Sequence, residues 1–160
     1  MTRIKGSILI GRPIEEVFDF VADERNEPSY NPKIGSVEKV TPGPIGVGTT
    51  WRAVAISRRR STPFELEITD YARPHRLGSL TRMRAMDISG GQAFEVGRDA
   101  TRMSWSWELR PKGMARLAGP LISALGRKRE QQIWSRLKQH LESTTSLVPH
   151  GGADEDDENG

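Results

Sequence analysis

The stretch TRMSWSWEL, residues 101–109, alternates with a period of two: Met103, Trp105, Trp107 and Leu109 share one face, and Arg102, Ser104, Ser106 and Glu108 the other. That is the pattern of a strand with one side on a core and one side in water. Pro111-Lys112-Gly113 ends it, and the period becomes helical from about Met114 to Glu142. Leu117, Leu121, Leu125, Ile133, Leu137 and Leu141 form the apolar stripe of this helix, joined by Ile122 and Trp134. Arg127, Lys128, Arg129 and Glu130 fall in its exposed middle, while Gly119, Pro120 and Gly126 should kink or fray its first half.

Upstream, the same reading supplies the rest of the sheet. Residues 3–10 read as a strand, and Pro13 opens a helix in which Ile14, Val17, Phe18 and Val21 form one stripe, with Glu15 and Glu16 in the first turn. Asp23 to Pro32 breaks it and leaves room for a second short helical turn. Strands then follow at Val37–Val40, Thr49–Ile56, Phe64–Tyr71, Leu77–Met83 and Asp87–Val96, the last bent or bulged at Gly90-Gly91. The expected class is α+β, with the order β-α-α, six strands, α.

At 160 residues the chain fits one domain, expected over 1–145. Five of its 21 acidic residues lie within His150–Gly160, which has no Lys or Arg, so the remainder holds 24 basic against 16 acidic groups, or +8. Residues 146–160 read as a disordered acidic tail. There is no Cys, which excludes disulfides and thiolate chemistry. No signal-peptide core or bilayer-length apolar run is present, and a cytoplasmic location is expected.

Several local motifs, taken in order, carry a resemblance. They are Arg12-Pro13-Ile14-Glu15-Glu16-Val17-Phe18, Tyr30-Asn31-Pro32, Gly46-Val47-Gly48-Thr49, Glu67-Ile68-Thr69-Asp70-Tyr71 with Arg73-Pro74, Phe94, Thr101-Arg102, Glu108-Leu109 with Pro111-Lys112-Gly113, and Leu137-Lys138. From Ile4 to about Leu141 the chain resembles the bacterial polyketide cyclase/dehydrase and lipid-transport group of the START superfamily, the helix-grip (SRPBCC) proteins. The resemblance implies a helix-grip fold, a curved antiparallel sheet of about seven strands wrapped around the long C-terminal helix, with a hydrophobic cavity between them. Such cavities carry lipids, polyketides or other apolar ligands, and a minority of relatives are aromatase/cyclases. Fold alone does not fix function.

On that reading Trp51, Phe64, Leu66, Phe94, Met103, Trp105 and Trp107 line the cavity from the sheet, and Leu117, Leu121, Leu125 and Ile133 from the helix. Aromatics and Met suit an adaptable apolar pocket. Polar candidates for orienting a ligand are His75, His140, Tyr30, Tyr71, Arg52, Arg82 and Arg84, among which no acid–base pair declares itself. No cofactor, metal or catalytic residue is therefore expected: His75, His140 and His150 lack metal-ligand spacing, and no Gly-rich loop precedes a helix. Binding or carrying of a hydrophobic small molecule without catalysis is the favoured function, with a cyclase acting on a polyketide-like substrate as the alternative and a partner-binding regulatory module third. Arg58-Arg59-Arg60, Arg127-Lys128-Arg129, Arg73, Arg76, Arg82 and Arg84 read first as solvated surface, and otherwise as contacts for an acidic carrier protein or an anionic surface. Nucleic acid is disfavoured, since no exposed aromatic is interleaved with the basic residues.

Overall fold

The structure, a computed structural model, describes residues 2–144; the expected tail, 146–160, lies outside them. The chain runs β1 (Thr2–Ile10), α1 (Ile14–Ala22), a 3-10 turn (Glu24–Ser29), β2 (Ile34–Lys39), β3 (Thr50–Ser57), β4 (Arg60–Ala72), β5 (Arg76–Arg82), β6 (Met86–Gly97) and β7 (Ala100–Pro111). A second 3-10 turn (Gly113–Ala118) leads into α2 (Gly119–Ser143). The seven strands form one antiparallel sheet in the order β1-β7-β6-β5-β4-β3-β2, so the first strand pairs with the last. Every other ladder joins neighbours in sequence, through short turns from β3 onward and through the longer loop 40–49 between β2 and β3.

The alternation of β7 holds throughout: Met103, Trp105, Trp107 and Leu109 are buried on the concave face, while Arg102 and Arg110 are exposed. Register carries that face across the sheet, Trp105 standing beside Gly6 on β1 and Gln92 on β6, with Leu77 on β5 and Tyr71 on β4 beyond. The breaks in register fall between Ile34 and Val37 and between Ile68 and Asp70. Through Gly90-Gly91 the ladders to β5 and β7 run unbroken, so no bulge forms there. At Gly6 the Trp105 indole occupies the space a side chain would take.

The C-terminal helix differs from its sequence reading in two ways. The period predicts a continuous helix from Met114, but residues 113–118 form the 3-10 turn and the α-helix begins at Gly119-Pro120. Pro120 explains this, since its missing N–H and fixed φ suit a first helical turn. The expected stripe also fails in its first half: Ile133, Trp134, Leu137 and Leu141 are buried, whereas Leu117, Leu121 and Leu125 are 82%, 61% and 60% exposed. The cause is helical pitch. At 3.6 residues per turn, steps of four residues advance about 40° each, so a leucine row that starts at Leu121 has turned about 200° by Leu141. A row that faces the sheet at its end therefore faces away from it at its start.

Candidate functional site

The concave face brings eight of the expected lining residues out of water: Trp51, Phe64, Leu66, Phe94, Met103, Trp105, Trp107 and Ile133. Seven of them belong to one cluster, with Phe18, Tyr30, Trp134 and Leu137, while Phe64 packs apart with Ile34 and Ala53. Leu117, Leu121 and Leu125 are outside both clusters. The clustered rings touch one another: Phe18 meets Phe94 edge-on at 5.2 Å, Trp105 meets Trp134 at 5.9 Å, and Tyr30 meets Trp134 at 6.0 Å.

Against this aromatic wall stands a group of carboxyls and one phenol. Glu130, on α2, accepts hydrogen bonds from two indoles through the same Oε2: Trp107 Nε1 at 2.9 Å and Trp134 Nε1 at 2.8 Å. From the other side the 3-10 turn brings Glu24 and Glu27, which are hydrogen-bonded to each other, and Asn31 Nδ2 donates to Glu27 Oε1 at 2.8 Å. Tyr30, 4% exposed, feels all three carboxyls. Burial pushes the Glu24 carboxyl well above its ordinary range, and Glu27 adds to the shift through repulsion and their shared hydrogen bond. Burial likewise raises Glu27, against the opposing hydrogen bond from Asn31, and raises Glu130, against those from the two tryptophans. The Tyr30 hydroxyl is driven well upward by burial and by its carboxylate neighbours. Trp51 Nε1 is buried with no partner among the described residues. No trio of His, Asp or Glu side chains among those residues gathers as metal ligands.

Such an arrangement can hold protons on carboxyl oxygens in a largely apolar space, where they serve as hydrogen-bond donors to a carbonyl or hydroxyl. Sequence reasoning finds Tyr30 but misses the carboxyls. It puts Glu130 in the exposed middle of the helix; the side chain is half-buried and faces inward. Its spacing holds the signal, for it lies three residues before Ile133 and seven before Leu137, hence on the same face. Glu24 and Glu27 lie in the segment that reads as a break between helices, where no periodicity could orient them.

The other polar candidates sit elsewhere. His75 is exposed, its Nδ1 3.4 Å from the Phe94 carbonyl. His140 is half-buried, with its ring 5.3 Å from that of Phe20, and Tyr71 packs edge-on to Phe18. Arg52 and Arg82 pair with Glu65 and Glu67 on the outer face, and Arg84 is exposed in the turn before β6. Two hollows frame the site. One of about 560 Å³ opens between Pro28, Tyr30 and Pro32 on one side and Arg136 and His140 on the other. A broader depression of about 710 Å³ lies on the outer face over Gly78, Gly91, Ser104 and Ser106, between Lys5 and Asp70, with Trp105 bordering it. None of the other expected lining residues borders either hollow.

Comparison with known proteins places this geometry. The fold is shared with a START superfamily protein from Mycobacterium smegmatis, at 15% identity and a TM-score of 0.78 over 91% of this chain and 100% of that one. A protein from Thermus thermophilus superposes at 17% identity and a TM-score of 0.75, over 90% and 99% of the two chains. The Zhui aromatase/cyclase from a Streptomyces species does so at 11% identity and 0.72, over 88% and 93%. No curated protein matches the chain. Residues 1–142 match the family described as polyketide cyclase/dehydrase and lipid transport, and the chain belongs to that family.

Proposed function

We propose that the chain binds a hydrophobic small molecule bearing a hydrogen-bonding group, such as a lipid, a polyketide or an aromatic, between the sheet and α2, without transforming it. The observation that carries this reading is the Glu24, Glu27, Tyr30 and Glu130 group set against indole rings. Burying carboxyls costs stability, and perturbed titratable groups collected in one place mark sites that serve a ligand more often than inert cores. The Tyr30 hydroxyl and the orphan Trp51 Nε1 supply donors for a carbonyl or hydroxyl, and the aromatic wall supplies apolar contact. Entry is assigned to the hollow beside Tyr30 and His140. Because the inner rings pack on one another, the ligand must displace side chains as it enters.

Titration with a panel of fatty acids, sterols and aromatic polyketides, followed by tryptophan fluorescence, tests this. Saturable quenching is expected, weakened in Tyr30→Phe and Glu130→Gln variants whose circular dichroism stays native. No saturable quenching across the panel, together with no small molecule retained in native mass spectrometry, would overturn it. The same group favours a second reading, an aromatase/cyclase-type enzyme, since a phenol beside carboxyls of raised pKa offers a proton donor next to a base. Recovery of a chemically altered ligand, lost in Glu130→Gln, would replace binding with catalysis.

A further inference from the structure

Residues 113–129, GMARLAGPLISALGRKR, hold four basic residues and no acid. Within this stretch Met114 and Leu117 are 83% and 82% exposed, and Leu121 and Leu125 stand largely in water as well. On the α-helical part, Leu121, Leu125 and Lys128 project within an arc of about 60°, opposite the face that carries Leu137. Arg116, Arg127 and Lys128 form no ion pair among the described residues. Glu130, the acid next in sequence, is turned inward to two tryptophans. The surface is thus an apolar ridge flanked by cations, of which Arg129 lies near enough to Glu27 and Glu130 to favour their charged forms. No helix among the described residues is long and apolar enough to cross a membrane.

We propose that this ridge docks on the surface of a bilayer containing anionic phospholipid, with Met114, Leu117, Leu121 and Leu125 entering the boundary between headgroups and acyl chains while Arg116, Arg127, Lys128 and Arg129 meet lipid phosphates. Leucines on one side and Lys/Arg on the flanks are what such a surface selects, because apolar burial and attraction to anionic headgroups then act together. Other occupants fit less well. A second copy of the chain packed symmetrically on the ridge would bring Arg127-Lys128-Arg129 against itself, and like charges there oppose pairing. The chain's own tail, 146–160, can neutralise the basic residues but offers only Leu147 and Val148 as large apolar side chains against Met114 and three leucines.

The test is co-sedimentation of the full chain with phosphatidylcholine vesicles, plain or containing about 30% phosphatidylglycerol. Binding is expected to the anionic vesicles only, weakening as salt rises. The triple variant Leu117→Ser, Leu121→Ser, Leu125→Ser and the charge variant Arg127→Glu, Lys128→Glu should each lower partitioning about tenfold or more. Leu121→Ser alone, at an exposed position, keeps the test readable should the triple variant fold poorly, and should weaken binding severalfold. Absence of binding to anionic vesicles overturns the proposal, as does binding that the serine variants leave unchanged. So does a dimer of the wild-type chain in light scattering that the serine variants convert to monomer, which would assign the ridge to a second copy.

Discussion

In the second half of α2, Ile133, Trp134, Leu137 and Leu141 are buried, and the end of the helix is tied to β1 by side chains: Lys138 donates to the Leu9 carbonyl at 2.7 Å and Glu142 accepts from the Gly11 N–H at 2.8 Å. In the first half Leu121 and Leu125 point to water, and close approach is left to Gly126, where a Cβ would come within 2.5 Å of Ile4 Cδ1. One half is core and anchor. The other is held by its backbone passing over β1 and by Ile122, which packs on the core, and its leucines are left free. The difference teaches that leucine content and spacing do not say which way a helix faces; phase relative to an anchored end does.

Leu137→Ala is the most severe test of that contrast. Leu137 is fully buried, so truncation removes its transfer energy and leaves a cavity, at a cost of about 2–5 kcal/mol in urea-induced unfolding. A loss below about 0.5 kcal/mol would place it on the surface and sink the assigned phase.

Glu130 sits where the two halves meet. Replacing it with Ala orphans the Trp107 and Trp134 indole N–H groups at about 1–3 kcal/mol each, partly offset by removing a buried acid. Glu130→Gln keeps an acceptor oxygen and should cost less than Ala. The pH profile follows from the same carboxyls. Glu24, Glu27 and Glu130 have folded pKa values above the ordinary 4.5, so the native state holds protons that the unfolded chain has released. The stability they contribute is present below that value and is lost as pH rises through their raised values. Asp19, lowered chiefly by the Arg73 hydrogen bond, and Glu142, lowered chiefly by Lys138, act oppositely and lose theirs only in stronger acid, as pH falls through their depressed values. Thermal unfolding should therefore show stability declining from mildly acidic toward neutral pH, and Glu24→Gln should make that decline shallower. An unchanged slope would mean that Glu24 is solvated.

The sheet is legible in the sequence because a period-two pattern survives translation into a curved sheet: every strand from β3 to β7 lies close to its sequence reading, and Trp105 and Trp107 are on the expected face. The second half of α2 is legible because Ile133, Leu137 and Leu141 span few enough turns to stay on one helical face. The carboxyl group is not. Glu24 and Glu27 come from a helical break, whose residues orient only when tertiary packing brings Glu27 toward Glu130, and Glu130 comes from a charged run that hides the face it shares with Ile133 and Leu137. The phase error at Leu121 and Leu125 arises from repeating a four-residue step until its drift of about 40° per step has accumulated to about half a turn.

The smallest expected effect is the most discriminating one. Leu121 and Leu125 have the residue type and spacing of Leu137 and Leu141, in the same helix, so any difference in response must come from facing alone. With their side chains in water, Leu121→Ala and Leu125→Ala remove little buried area, and Ala has slightly the better helix propensity. Each should shift unfolding free energy by no more than about 0.5 kcal/mol, against several for Leu137→Ala. A surface ridge and a core row then separate cleanly: the ridge variants lose vesicle partitioning at unchanged stability, and the core variant loses stability first. Destabilisation by Leu125→Ala approaching that of Leu137→Ala would show that the first half of α2 closes onto the protein in solution, which would remove the ridge and the bilayer contact built on it.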